Sequence, residues 1–579
     1  MVILSIVLFP LSLLGYYSVY RFWFDTEEEF FPIIYISAIA VVTYLFGLIG
    51  FLRAGALAAE VTGLILLTYI LLNKKGKLTL QKLLRSFINP TSLVMLIGIV
   101  WAYVITRNVG LSNPDDYSHW YRICRAMWVD NTYPMTPDIE FATYPPGTAT
   151  WVYYFTCIFG FSIPNCFWAQ SILNLSGCCT LFHVLSKVSN NKEKVIKTVL
   201  ISVASVFLCS LDLSTYTLEV DASVGLVTLA AAIYMLNADF SRRNVVATAV
   251  ILLSFLDTIK VSGLVFELLL LLLLWFFKVR KLRCTVKGVL TGFIISVVPV
   301  VVTLLYRIRN SHYYPDIASS THAISLARYM NVFASRTNED IRLYSKNFIM
   351  TLNPMNALPQ TIVLYVCLLA FIILAIIKAD SRKLFLKIVL YITCSWLIYW
   401  AVLYLTYLFS MSLWEALRLN CLYRYVGSLA IYLSGLTLYY IIRSINGYGK
   451  YFYPKALALV TLLVVLGQVL FGYGYLFEGK QELYPELDYV TDTPWKALKS
   501  CAEEGMVYSD DSYYVIWDEQ NLPGRLERLI PDRLSTTYFR SENVEVVICD
   551  GVEDAERLEA LAQGLYDHIV IVGKTSRND

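Results

Sequence analysis

"VVATAVILLSFLDTIKVSGLVFELLLLLLLWFF", Val245 to Phe277, is a long apolar stretch with a short polar interruption, Asp257 to Lys260, near its middle. A single membrane crossing takes about 20 apolar residues, so the stretch is either one hairpin or one long tilted helix. "SRRN" (241–244) precedes it and "KVRKLRCTVK" (278–287) follows it. Basic connections stay on the cytoplasmic side, which leaves the Lys260 turn facing outward.

The same pattern repeats along the chain. Apolar runs of roughly 15 to 22 residues recur about 14 times, from Val2–Tyr20 to Ala456–Phe471. "KKGKLTLQKLLR", "KVSNNKEKVIK" and "KADSRKLFLK" are further basic connections, and they alternate with poorly basic ones. Outward connections are then Asn108–Pro146, Asp212–Glu219, the Lys260 turn, Tyr306–Leu358, Phe409–Cys421 and the tail after Phe471. The fold class is mainly α, a polytopic transmembrane helix bundle of about 12 to 14 spans with a small C-terminal α/β domain.

Composition agrees. Of 579 residues 57% are hydrophobic and 16% charged, against about a quarter charged in soluble proteins. Mean hydropathy is +0.58. The net charge of +3 is spread thinly, and no basic patch with interleaved aromatics is present, so nucleic acid is not an expected partner. Six of the twelve cysteines (Cys157, Cys178, Cys179, Cys209, Cys367, Cys394) lie in apolar runs, where a thiol acts as a small hydrophobe. "MVILSIVLFPLSLLGYY" lacks a basic leader and a small-residue cleavage site, so it reads as a retained span.

Two segments stand apart. The outer loop within 108–165 is longer than most connections and too aromatic for disorder, with Trp120, Met127, Trp128 and Tyr133. It is expected to carry amphipathic helices along the membrane surface, with "ATYPPGTATWVYYFTCIFGF" opening a short helix that dips into the interface. The tail, 475–579, alternates helix-like stretches with the strand-like "VEVVIC" and "HIVIVG", which marks an extracytoplasmic α/β domain beside a membrane domain of 1–474. Cys501 and Cys549 fall in it, either as a disulfide or as two buried thiols.

Charges at the outer ends of spans are the candidate chemistry. "LSNPDDYSHWYRIC" (111–124) places Asp115 and Asp116 side by side, with His119 one helical turn on. A carboxylate there is a general base, a cation ligand or simply a helix cap. His119 is more often a structural hydrogen-bonder than a base or ligand. Lys260 suits a phosphate head group, or pairs with Asp257 three residues back. Arg418 and Arg424 in "WEALRLNCLYRY" call for an anion, either Glu415 or a ligand phosphate.

These residues carry a resemblance. "DDYSHW … YPPG" (Asp115–Trp120, Tyr144–Gly147) resembles the first outer loop of GT-C integral membrane glycosyltransferases, in particular bacterial members that build cell-surface glycans. "LEVDASVG" around Asp221, "IKVSG" around Lys260 and "EALRLNCLYRY" around Glu415 follow in the family's order, so the resemblance spans Thr91 to Ile442. It implies an inverting transferase that moves sugar from a polyprenyl-phosphate donor to a hydroxyl of a glycan or glycoconjugate acceptor at the outer face of the plasma membrane. Carried over by position, Asp115 is the base with Asp116 second. Lys260, Arg424 and Arg418 meet the lipid phosphate, and His119, Tyr144, Asp221 and Glu415 shape the sugar and acceptor pockets. Some branches use a divalent cation, Mg2+ or Mn2+, at this loop and others none; the adjacent acids leave both open.

Three other classes compete. A transporter or flippase would bind at mid-membrane between matched broken helices, and the mid-span acids here are Glu60 and Glu267. A polymerase or ligase of lipid-linked polysaccharide also has many spans and a large outer loop, but the acidic start of the loop after Ile105 favours transfer. A membrane O-acyltransferase wants a histidine within a span. Of the five histidines (His119, His183, His312, His322, His568) one, His183, lies near a span, at its cytoplasmic end.

Overall fold

In a computed structural model the described residues are 2–22, 24, 27–72, 86–107, 115–134, 139, 141–211, 217–282, 286–313, 315, 326–377, 382–445, 452–471, 513–518, 544–549 and 552–572. They divide into two units: Met1–Val109 with Ile123–Phe477, and Gly110–Arg122 with Glu478–Asp579. Cys501 and the basic segment 74–85 lie outside the described residues.

The chain is mainly α. Its helices are α1 (Val2–Phe22), α2 (Phe31–Leu48), α3 (Leu52–Leu72), α4 (Pro90–Thr106), α5 (Tyr121–Asp130), α6 (Gly147–Phe159) and α7 (Ile163–Cys179). Then come α8 (Asn191–Ser210), α9 (Asp221–Asn237), α10 (Arg243–Ile259), α11 (Gly263–Leu282), α12 (Val286–Tyr313), α13 (Leu326–Ala334) and α14 (Asn338–Met350). The last of the larger unit are α15 (Pro359–Ile377), α16 (Arg382–Phe409), α17 (Leu413–Arg418), α18 (Leu422–Ser444) and α19 (Phe452–Phe471).

Six helical stretches among the described residues are long and apolar enough to cross a membrane: Glu28–Leu48, Leu52–Leu72, Gly288–Tyr313, Pro359–Ile376, Arg382–Phe409 and Leu422–Ser444. Shorter apolar helices include Pro90–Thr106 and Asp221–Asn237. The outermost helices turn large apolar side chains away from the protein, as Val289, Leu290, Phe293 and Ile308 do on α12. Apolar surface of that extent needs lipid rather than water around it, which makes the chain a multi-pass membrane protein.

At the centre, α9 is buried along its whole length from Asp221 to Met235. It packs on α18, α11, α7 and α10. A Cβ on Gly225 of α9 would lie 2.6 Å from the Ser428 carbonyl oxygen of α18, so the two backbones touch there because glycine leaves room. Both helices run the same way. Arg424 of α18 pairs with Asp221 at one end, and Arg443 of α18 bonds Asn237 at the other. At 1.5 Å per residue these ends are about 25 Å apart.

The Val245–Phe277 stretch is a hairpin. Lys260 breaks it in an extended conformation (φ −160°, ψ 154°), and the Gly263 amide donates to the Lys260 carbonyl at 2.8 Å to close the turn. The short helix after "YPPG", α6, is almost wholly buried, against α2, α7, α1 and α10. Its sequence, GTATWVYYFTCIF, has no charged face to give to water or head groups, and a helix apolar all round is stable inside a bundle.

In the smaller unit the strands are β1 (Tyr513–Asp518), β2 (Val544–Cys549) and β3 (His568–Val572), with α20 (Val552–Ala562) between the last two. The sheet is parallel in the order β2-β1-β3, with Tyr513 opposite both Val544 and His568. Ala555 and Ala562 of α20 pack on Tyr514 and Ile516. β2 and β3 are the strand-like runs expected from sequence, whereas the central strand is "YYVIWD", a β-branched and aromatic run outside that expectation.

Candidate functional site

The helix starts and turns at one end of the α9–α18 pair gather four charges. Asp221, the first residue of α9, is 2% exposed; its Oδ1 accepts from Lys260 Nζ at 2.8 Å and its Oδ2 from Arg424 Nη2 at 3.1 Å. Arg424 Nη1 lies 2.7 Å from Glu219 Oε1. Two acids and two bases balance, which is how a protein holds charge away from water at tolerable cost.

Neutral groups fix the acids in place. Ser428 Oγ donates to the Asp221 carbonyl at 2.7 Å. Gln170 Nε2 donates to the Glu219 carbonyl at 3.1 Å and to Ser223 Oγ at 3.0 Å, and Ser223 in turn donates to Asn174 Oδ1 at 2.8 Å. Gln170 and Ser428 join the residues expected from sequence. A signal existed for Gln170, a polar residue inside the apolar "CFWAQSILNL".

Lys260 alone of the four reaches the wall of a cavity of about 390 Å³. Tyr144, Tyr329, Tyr399 and Tyr425 share that wall, and Val265, Val402, Leu403 and Phe409 make it largely apolar. The Lys260 ammonium sits 4.8 Å from the centre of the Tyr425 ring, an attraction that leaves protons to offer elsewhere. Leu405 belongs to the same wall yet is 51% exposed, so the cavity borders the lipid-facing side of α16.

Close packing joins the motifs. A Cβ on Gly147, the glycine of "YPPG", would stand 2.5 Å from the Thr258 carbonyl carbon and oxygen, so α6 starts directly against the Lys260 turn. Tyr144 stacks on Phe141 with ring centres 4.9 Å apart. Before Arg424, Leu419 and Cys421 both adopt left-handed backbone (φ 53° and 60°), and the Tyr407 hydroxyl donates to the Asn420 carbonyl between them. Strain of this kind in non-glycine residues persists where surrounding structure enforces it, here at the start of α18.

The segment between α12 and α15 also reaches the cavity, through Tyr329. Arg336, between α13 and α14, donates through Nη2 to the carbonyls of Tyr407 (2.8 Å) and Met411 (2.7 Å), closing the end of α16 beside the wall. This arginine was not singled out from sequence. Asp340 opens α14 in a capping box with Thr337, whose hydroxyl and amide hold its carboxyl below the usual carboxylate range.

Other expected residues occupy different settings. Glu415 caps α17, accepting from the Ser412 amide at 2.8 Å, and Arg418 lies exposed with its guanidinium 4.7 Å from the centre of the Trp414 ring. Neither lines the cavity. In the smaller unit Asp115 is half-buried and Asp116 fully buried, at the head of a π-helical turn Asp116–Trp120. Asp115 makes no side-chain cap, and His119, 4% exposed, lies 4.6 Å from the Trp120 ring. Wide turns of this type recur at functional sites.

The mid-span acids are enclosed. Glu60 Oε2 accepts from the Tyr154 hydroxyl at 2.7 Å, and Glu267 meets Asp257 across the α10–α11 hairpin. Among the described residues, the histidine and acids close enough together to hold a metal are Glu27, Glu29 and His183, within 4.8 Å of one another, and Asp115 and Asp116 join no such group.

No family model and no curated protein matches the chain. Among solved structures, it is similar to ArnT from Cupriavidus metallidurans bound to undecaprenyl phosphate, at 13% identity over 83% of this chain and 89% of that one. The TM-score is 0.34, a superposition too loose to assign a fold, an activity or a site.

Proposed function

We propose that this protein is an inverting glycosyltransferase of the GT-C type, taking sugar from a polyprenyl-phosphate donor and passing it to a hydroxyl of a cell-surface glycan or glycoconjugate. The observation that carries the reading is the position of Lys260. A buried carboxylate, Asp221, anchors its ammonium at the wall of an otherwise apolar, tyrosine-edged cavity beside lipid-facing surface. A polyprenyl phosphate has that character: one anionic group on a chain that stays in the bilayer.

In this reaction the Asp115 carboxylate takes the proton of the acceptor hydroxyl, with Asp116 as the second choice. The oxygen attacks the anomeric carbon as the bond to the phosphate oxygen breaks, and the lipid phosphate leaves with the bonding pair. Lys260 meets the charge that develops there. Arg424 acts through Asp221, holding the carboxylate that orients Lys260. Tyr144 edges the sugar pocket and His119 supports the acidic pair, while Glu415 and Arg418 brace the rim through α17.

An outward site is supported by the basic segments. "KVSNNKEKVIK" and "SRRN" adjoin the starts of α8 and α10, at the Asn237 end of α9 and away from Asp221. The enclosure of Glu60 and Glu267 favours transfer over transport, because neither acid lines the described cavity. The tail, 475–579, either holds the growing glycan or braces the outer loops.

Transfer from a defined polyprenyl-phosphate sugar by purified protein tests the reading, with Asp115→Asn and Asp116→Asn beside wild type. Asp115→Asn should abolish transfer. Full transfer by Asp115→Asn with loss in Asp116→Asn would exchange their roles. A folded wild type that transfers nothing but moves lipid-linked sugar across vesicles would establish the flippase instead.

A further inference from the structure

At the other end of the α9–α18 pair Arg443 is half-buried without an acid. Its Nη1 donates to the Tyr439 hydroxyl at 2.9 Å and to Asn237 Oδ1 at 3.3 Å, and its guanidinium lies 5.7 Å from the Tyr439 ring centre. Among the described residues no carboxylate pairs with it. A partly desolvated guanidinium held by neutral groups keeps its full charge for a ligand.

Arg443 lines a cavity of about 320 Å³ with His183, Ser186, Lys187, Ser189 and Lys197. The one acid on its wall, Glu193, is taken by Lys197 at 3.1 Å. His183 is 5% exposed and its Nδ1 contacts the Glu27 carboxylate, with Glu29 beside them; neither of these two acids lines the cavity. Lys187 is exposed and makes no ion pair among the described residues. Lys187 and Arg443 are thus the two cations on the wall without an ion-pair partner among the described residues, and Ser186 and Ser189 share that wall.

We propose that this cavity binds a phosphate group. The donors are a planar guanidinium suited to two oxygens, an ammonium and hydroxyls, and a phosphate supplies acceptors only. By the positive-inside rule the face is cytoplasmic, where the phosphate is that of an anionic phospholipid or of a soluble phosphate compound. The site lies about 25 Å along α9 from Asp221 and stands independently of the transferase reading.

The full chain in detergent, freed of lipid, is titrated with phosphatidylglycerol or with diacylglycerol and followed by native mass spectrometry. Inorganic phosphate is titrated separately, as a competitor and as protection against heat. Phosphatidylglycerol should bind and diacylglycerol should not. Arg443→Gln should weaken binding about tenfold and Lys187→Gln about threefold. Lys383→Gln, exposed and outside the cavity, should bind as wild type. Competition by inorganic phosphate at millimolar levels supports a soluble ligand; binding of lipid without such competition supports a phospholipid. Should Arg443→Gln fail to fold, Lys187→Gln alone decides. Wild-type binding by both cavity variants, or an equal loss in Lys383→Gln, overturns the proposal.

Discussion

Arg424 and Asp221, 203 positions apart in the chain, meet as a buried ion pair with Nη2 3.1 Å from Oδ2. The pair joins the two central helices at the end where Lys260 enters its cavity, so the same carboxylate serves packing and chemistry. Asp221 accepts from both cations at once, and Glu219 balances the second. Removing any member leaves another charge uncompensated.

Asp221→Asn should therefore act twice. It leaves two cations facing one carboxylate, and breaking a buried pair costs about 3 to 5 kcal/mol. Thermal unfolding of the purified protein in detergent should show a clear fall in midpoint, and transfer should be lost even below that midpoint. Wild-type stability in Asp221→Asn would mean the cluster is more hydrated than its exposure of 2% implies.

Lys260→Met should keep the apolar stem and remove the charge. Donor use should fall about a hundredfold or more in kcat/KM, some 2.7 kcal/mol of transition-state stabilisation. Lys260→Arg should recover little, because the broader guanidinium does not fit the single position between Asp221 and the Tyr425 ring. Full activity in either variant removes Lys260 from the mechanism.

Gly147→Ala tests the contact between α6 and the Lys260 turn. The added methyl would meet backbone at 2.5 Å, which cannot yield as a flexible side chain can. Overpacking of this kind costs about 1 to 3 kcal/mol. A lowered unfolding midpoint with a raised KM for the donor is expected, since the displaced turn carries the ammonium. An unchanged midpoint would show that the helix and turn are less closely apposed.

Asp340 gives a pH dependence outside the spans. Its carboxyl is held low by Thr337, so its stabilisation is present above the ordinary carboxylate value and is lost as pH falls through the folded value. Unfolding midpoints of wild type and Asp340→Asn should differ near neutrality and converge on acidification below about pH 4. A difference that stays constant with pH would assign the effect to shape rather than charge.

Sequence by itself determined what depends on local pattern. Long apolar runs gave the helices, and the polar break at Lys260 marked a turn because an apolar helix that meets "DTIK" has somewhere polar to go. "VEVVIC" and "HIVIVG" were legible as strands for the same local reason. Only the tertiary structure decided which charges meet. Asp221, Lys260, Arg424 and Glu219 sat at span ends alongside Glu415 and Arg418, with nothing in their spacing to separate a buried cluster from a cap and an exposed stack. That choice rests on how closely α9 and α18 approach at Gly225 and on where Gly147 seats α6. Such contacts join residues far apart in the chain, and a charge survives burial only where packing brings its counter-charge within reach.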